Sequence, residues 1–202
     1  MSMGEAYGRL LVISGPSGVG KGTLCRHLLA MAATREEASP GWQLSVSMTS
    51  RPPRDGEMEG VDYFFSSEAQ FQNAIAQGAL LEWAIYNGRY YGTPKAPVEA
   101  ALAAGKTVLL EIDVQGALAV RAAYPQARLV FVAPPDLPTL ATRLQYRGDT
   151  HPEEMEQRLA IAVGELAQRE AFDTVVVNDT VETASETLWA WVHQLPAVTR
   201  AS

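Results

Sequence analysis

Arg9-Leu-Leu-Val-Ile-Ser14 runs straight into Gly15-Pro-Ser-Gly-Val-Gly20-Lys21, and that into Gly22-Thr23 and the stretch Leu24 to Met31. The first piece is an apolar run of strand length, and the last has the spacing of a helix, with Leu24, Leu28 and Leu29 recurring on one side. Between them stands the pattern G-x-x-x-x-G-K in the one context that gives it meaning, after a strand and before a helix. Glycines allow successive backbone amides to point inward, the helix amino terminus adds a favourable dipole, and Lys21 brings a positive charge to the outer phosphates of a nucleotide. Gly15, Pro16, Ser17, Gly18, Val19, Gly20, Lys21, Gly22 and Thr23 are therefore the expected ATP-phosphate cradle. Gly22 stands where the pattern usually carries a magnesium-binding hydroxyl, with Thr23 one residue later, so metal ligation by Thr23 stays open.

Outward from that loop the chain alternates. Thr107 to Ile112, Arg128 to Ala133 and Thr174 to Val177 are further apolar runs, each followed by helical spacing at Val114 to Ala123, Asp136 to Tyr146 and Val181 to Val192. Strand followed by helix, repeated, implies a parallel sheet covered on both faces, the three-layer α/β architecture. Two departures interrupt it. From Gln43 to Thr93 short alternating strands and turns suggest a small mixed α/β insertion, with a helix from Ser66 to Gly78. From Asp136 to Glu170 two helices adjoin, and in the second Met155, Leu159, Val163 and Leu166 are expected to share one buried stripe. A further helix is expected over Pro94 to Ala104. The sequence thus reads as one domain over residues 8–195. Its core comprises 8–43, 94–136 and 171–195, the insertion 44–93 and a helical lid 137–170, with loose tails at 1–7 and 196–202.

Bulk properties limit the function. The chain has 202 residues, 47% of them apolar, which suffices for one substantial core. A net charge of −7 argues against a surface built for DNA or RNA. No run reaches the roughly 18 apolar residues of a membrane span, no export leader is legible, and the single cysteine, Cys25, cannot form an internal disulfide. A cytoplasmic protein without membrane or nucleic-acid partners is the expectation; whether it is a monomer or a homo-oligomer is open. Of 16 basic residues all but Lys21, Lys95 and Lys106 are Arg, the side chain whose planar fork suits phosphate oxygens. A compositional bias explains that ratio equally well, so position must decide.

Position does decide in the insertion. Ser45-Val-Ser-Met-Thr-Ser-Arg51-Pro-Pro-Arg54-Asp-Gly-Glu-Met-Glu-Gly60-Val-Asp-Tyr63 resembles the GMP-binding region of guanylate kinases. The likeness continues through Leu81-Glu82-Trp83, Tyr90-Tyr91-Gly92-Thr93, Leu110-Glu-Ile-Asp-Val-Gln-Gly116 and Val175-Val-Val-Asn-Asp179, so it covers about Arg9 to Leu195. The resemblance implies a P-loop NTPase core with ATP and Mg2+ as cosubstrate. The reaction it implies is phosphorylation of GMP, and dGMP, to the diphosphate. The Gly22-Thr23 pair resembles that of nucleoside monophosphate kinases, which implies a metal held mostly by phosphates and water. Arg51 and Arg54 flank a stiff Pro-Pro pair and can aim two guanidinium forks at one phosphate, and Tyr63 and Tyr91 can add hydroxyl donors. Guanine offers two adjacent donors beside an acceptor, which a carboxylate and a hydroxyl can read. By the family pattern these are Glu82 and Ser47, with Thr93 also at the base. Taken without that pattern, Glu82 would be a surface charge and the arginines solvated turn residues.

Transfer between two anions calls for positioning and cations, not a protein nucleophile, since the acceptor phosphate is already ionised. Lys21, Arg143, Arg147 and Arg158 are the expected catalytic cations, the two middle ones at the lid edge over ATP by resemblance. Arg158 also stands four residues after Glu154, the spacing of a plain ion pair. Glu111 and Asp113 alternate at the end of an apolar strand, where a sheet's carboxyl edge meets its ligand, and join the GMP-side set. Asn178 is placed near adenine by resemblance, although an Asn ending a strand is often only a turn residue. His27, His151 and His193 are scattered and read as structural or surface residues. Two other readings compete: a guanylate-kinase-like protein-binding module without catalysis, and a kinase for another nucleoside monophosphate. Retention of Gly20-Lys21 and the arginines weighs against the first, and Glu82, Ser47, Arg51 and Arg54 weigh against the second.

Overall fold

A computed structural model describes residues 6–35, 41–86, 88–145, 152–196 and 198–199. After a two-residue strand β1 (Ala6–Tyr7) come β2 (Leu10–Ser14) and α1 (Lys21–Arg35), the pair that brackets the phosphate loop. Next come β3 (Trp42–Leu44), β4 (Ser47–Thr49), β5 (Tyr63–Phe65), α2 (Glu68–Ala76), and the hairpin β6 (Leu80–Tyr86) and β7 (Arg89–Pro94). The chain continues as α3 (Lys95–Ala103), β8 (Thr107–Glu111), α4 (Val114–Ala123), β9 (Arg128–Ala133), α5 (Leu137–Gln145) and α6 (Pro152–Leu166). A 3-10 turn at Arg169–Ala171, β10 (Thr174–Val177), α7 (Val181–Gln194) and β11 (Val198–Thr199) complete it.

The core is a five-stranded sheet in the order β10-β9-β2-β8-β3, every neighbouring pair parallel. All five residues of β2 are buried, because a strand covered on both faces has no solvent side to mark with polar residues. Alternate side chains feed two cores. Leu11 and Ile13 pack with Leu24, Leu28, Leu188 and Val192 of α1 and α7, while Leu10 and Val12 pack with Val98, Leu102, Ala117 and Val120 of α3 and α4. Cys25 lies in the first of these cores, and burial together with the nearby Glu111 charge pushes its thiol far above the ordinary range. On the outer side of that layer Trp42 stacks on Trp189 at 5.2 Å, and Trp189 on His193 at 4.5 Å.

The insertion carries its own four-stranded sheet, β5-β4-β7-β6, in which β4 and β5 run parallel and the other pairs antiparallel. Ser67 starts α2 as a capping box with Gln70, one residue after the serine start expected at Ser66. The hairpin β6–β7 was not separated from its motif residues by sequence reading, because a register shift between Leu80 and Trp83 breaks the alternation that marks a strand. Since β3 belongs to the core sheet through Leu44, the insertion starts a little later than the expected residue 44.

Two further expectations change, the buried stripe of α6 and the loose tails. In α6, Ala162 is buried and Val163 is 50% exposed, so the seam runs Met155, Leu159, Ala162 and Leu166; those steps of four, three and four follow the helical period more closely than the expected set. The lid helices are seated on the core, for Leu140 and Leu144 of α5 are fully buried. The expected loose tails are in part paired, as Ala6 and Tyr7 form an antiparallel ladder with Thr199 and Val198. Among the described residues no helix is long and apolar enough to cross a membrane.

Candidate active site

The phosphate loop joins the carboxyl end of β2 to α1. Gly15 has φ +135°, and a Cβ there would lie 2.2 Å from the Val132 carbonyl oxygen, so the loop leaves the sheet by a path open only to glycine. Lys21 folds back over the loop, its Nζ donating to the carbonyls of Gly15 at 2.6 Å and Pro16 at 3.0 Å. Val19 is buried beneath the loop and Ser17 is exposed at its tip. Asn178 at the end of β10 is buried and donates from Nδ2 to the Val19 carbonyl at 2.8 Å. The side chain expected near adenine is thus engaged as a strut of the phosphate loop. Gly20, with φ +92°, has room for nothing else on that side, since a Cβ would come within 2.6 Å of the same Nδ2.

Two of the expected catalytic arginines are described. Arg143 on α5 donates to the backbone carbonyls of Asn178 at 2.8 Å and Asp179 at 3.0 Å, so its fork ties the lid edge to the loop that carries the strut. Arg158 is half-buried on α6. Arg147 and the side chain of Glu154 lie outside the described residues. Sequence reading missed Glu165, a half-buried lid carboxyl on α6 that burial raises above the ordinary carboxylate range, against the opposing influence of Lys21.

A metal ion would find few protein donors here. Among the described residues no group of three or more His, Cys, Asp or Glu could hold one. The Thr23 hydroxyl accepts a hydrogen bond from Arg26 at 3.3 Å on the exposed side of α1. The Glu111 carboxylate instead sits over Gly22, where a Cβ would be 3.0 and 3.2 Å from its two oxygens. A single carboxylate fits a magnesium ion carried mainly by phosphate oxygens and water, and the hydroxyl expected of Thr23 is turned to the exposed side.

The acceptor side is built on the insertion sheet. Arg51 is clamped by Glu57 through two bonds of 2.8 and 2.9 Å. Its guanidinium lies 5.2 Å above the Tyr63 ring and 5.9 Å above that of Phe65. The Tyr63 and Tyr91 rings meet edge to face at 6.1 Å, so Arg51, Tyr63 and Tyr91 form one cluster. Arg54 shares the turn, donating its backbone N–H to Glu57 at 2.8 Å, but its side chain is exposed and separate from that cluster. The Arg51 guanidinium, then the Arg54 N–H, pull the Glu57 carboxyl down to about 2. Glu57 was missed from sequence; its signal was an acid inside the same proline-stiffened turn as the two arginines.

Beside this cluster Glu82 of β6, 7% exposed, accepts a hydrogen bond from the Thr93 hydroxyl of β7 at 2.7 Å. Burial, aided by the charge of Asp113, pushes the Glu82 carboxyl up to about 7, against the pull of the Thr93 bonds. Ser47 is half-buried on β4, in register with Tyr63. Asp113 caps α4, its Oδ1 accepting from the Gly116 N–H at 2.7 Å, a structural duty beside the expected one.

A family model described as guanylate kinase matches residues 7–195. The chain belongs to the guanylate kinase family. It is 54% identical over 183 residues to a guanylate kinase of Gloeobacter violaceus, covering 91% of this chain and 86% of that protein. To a guanylate kinase of Bacillus subtilis it is 46% identical over 185 residues, 92% and 88% of the two chains. The crystal structure of guanylate kinase from Anaplasma phagocytophilum superposes with a TM-score of 0.71 at 29% identity, over 95% of this chain and 88% of that one. The phosphate loop, the insertion sheet and the lid helices described above are therefore parts of a guanylate kinase fold.

Proposed function

We propose that the chain transfers the terminal phosphoryl group of ATP to the phosphate of GMP, giving ADP and GDP. The observation that carries this reading is the buried Glu82–Thr93 pair beside the Arg51, Tyr63 and Tyr91 cluster. A carboxylate in a dry pocket, with one oxygen fixed by a hydroxyl, accepts the two adjacent donors of guanine; adenine presents an acceptor there. A buried polar group left unpaired costs about 1 to 3 kcal/mol, which gives roughly ten- to a hundredfold selection. Arg51, Arg54, Tyr63 and Tyr91 hold the acceptor phosphate. Ser47 and Asp113 border the base, and Glu111 faces the gap between the two nucleotides.

On the donor side the amides of Gly15 to Thr23 and the Lys21 ammonium receive the ATP phosphates, while Arg143 and Asn178 hold the loop from the adenine side. Arg147 and Arg158 complete the cationic ring around the phosphoryl in flight, whose charge spreads over its oxygens. Glu111 would face a magnesium ion carried by the phosphates and water, which would supply charge neutralisation there, with Thr23 as the nearest hydroxyl of the loop. The insertion of β4 to β7 closes toward the seated lid helices α5 and α6 and keeps water from the reaction.

The deciding assay couples ADP formation to GMP, AMP, dTMP and UMP as alternative acceptors. Turnover with GMP at least tenfold above every other base is expected. Equal rates with AMP would overturn the assignment of Glu82.

A further inference from the structure

Among the described glycines, Gly116 stands out for what surrounds it. It is buried in the first turn of α4, three residues after the cap Asp113, and its φ is not in the left-handed region. No conformational demand requires glycine there, and in a helix glycine is less stable than alanine. Yet a Cβ at this position would lie 3.0 Å from Glu82 Oε2, 3.3 Å from Asp113 Oδ1 and 3.4 Å from Ile112 Cδ1. Two of the three obstacles are carboxylate oxygens, and the nearest is the Glu82 oxygen that Thr93 leaves open.

Each carboxylate is held at one oxygen only. Glu82 Oε1 is fixed by the Thr93 hydroxyl at 2.7 Å, and Asp113 Oδ1 by the Gly116 N–H at 2.7 Å. The Glu82 backbone packs closely against Gly92, where a Cβ would come within 2.7 Å of its carbonyl oxygen. A methyl on α4 would therefore be accommodated by displacing the open oxygen of Glu82 by a few tenths of an ångström, at the atom that meets the base.

We propose that Gly116 is a specificity-determining position: its missing side chain keeps the space in which the Glu82 carboxylate is aimed at the purine, at the expense of helix stability. The inference rests on the reading of Glu82 as the base-recognising group. It adds that the floor of the base pocket is supplied by the amino-terminal turn of α4, an element of the core, while its walls come from the insertion sheet. The missing methyl thus couples the setting of the insertion on the core to the choice of base.

The test is Gly116→Ala, compared with the unsubstituted protein and with Glu82→Asp in a double-mutant cycle. The expected result has three parts. KM for GMP rises about tenfold with kcat and KM for ATP little changed, the signature of lost binding common to ground and transition states. The ratio of kcat/KM for GMP to that for AMP falls by a similar factor. The Tm stays equal or rises by a few degrees, because alanine favours the helix. Where Glu82→Asp shortens the acid, the methyl has room, so the doubly substituted protein shows a KM for GMP no higher than Glu82→Asp alone. An unchanged KM for GMP in a folded Gly116→Ala protein overturns the inference, and so does a fall in Tm with equal losses for both nucleotides. Failure of both alanine-bearing proteins to fold would overturn it too, since the obstacle would then not be the length of Glu82. Absence of GMP turnover in the unsubstituted protein would instead overturn the functional reading on which the inference stands.

Discussion

Replacing Glu82 by Gln separates what the acceptor site needs from what the fold prefers. The Glu82 carboxyl is 7% exposed, and burial raises it to about 7 in the ligand-free protein. In the unfolded chain a glutamate titrates near 4.3. A carboxyl raised on folding stabilises the native state fully below its unfolded value, and that contribution disappears as pH climbs through the folded one. The shift corresponds to about 3 kcal/mol lost between pH 4 and pH 8. Glu82→Gln keeps the shape and an acceptor for Thr93 while removing the titration. Its Tm should match that of the parent near pH 4.5 and exceed it at pH 8.5, by roughly 6 to 12 °C for a chain of this size. Function should move the other way, because an amide directs its own donors at those of guanine; kcat/KM for GMP should fall by about a hundredfold. Scanning calorimetry from pH 4.5 to 8.5 reads the first effect and the coupled ADP assay the second. GMP binding should also release more protons from the parent than from Glu82→Gln at pH 6, with the excess shrinking by pH 8; the variant subtracts the protons that the GMP phosphate itself releases near its own pKa of about 6, and titration calorimetry in buffers of different ionisation enthalpy measures both. A Tm difference that does not change with pH, or proton release at pH 6 no greater in the parent than in Glu82→Gln, would refute the reasoning.

Lys21→Ala and Arg158→Ala should each lower kcat by at least a hundredfold with the far-ultraviolet circular dichroism unchanged; activity within twofold of the parent would remove either residue from the transfer step. Asn178→Ala takes away the buried donor to the Val19 carbonyl, so KM for ATP should rise about tenfold while KM for GMP stays put, with a stability loss of about 1 to 3 kcal/mol in urea melts. Glu57→Gln loosens the clamp on Arg51, and KM for GMP should increase about fivefold at constant kcat; a decrease would mean that Glu57 competes with the phosphate for Arg51 instead of orienting it.

What could be read from the sequence was whatever its local pattern determines. The bounds expected for α4 and β10 are those observed, because apolar runs with glycine or acidic starts mark them without outside help. The phosphate loop was legible for the same reason, all of its determinants lying within a few residues of Lys21. Contacts that span the chain were not legible. The bond from Asn178 to Val19 crosses 159 residues, and that from Arg143 to Asn178 crosses 35. Nothing in either segment announces that a strand-ending amide will brace a distant loop, or that an arginine suited to phosphate will bind two carbonyls. The seam of α6 was misread by one position because Ala162 and Val163 differ in hydrophobicity in the direction opposite to their burial. Gly116 closes a stretch that carries the family likeness, but only the third dimension brings Glu82 against it.

Burial of the lone thiol has an experimental dividend. Because Cys25 is enclosed by the core of α1 and kept protonated, it is poorly nucleophilic toward maleimides and iodoacetamides under native conditions. Cysteines introduced at exposed Ala69 of α2 and Ala160 of α6 would therefore be the two reactive positions of an otherwise unaltered chain. A donor and acceptor dye attached there would report, molecule by molecule, how far the insertion and the lid approach one another as each nucleotide arrives.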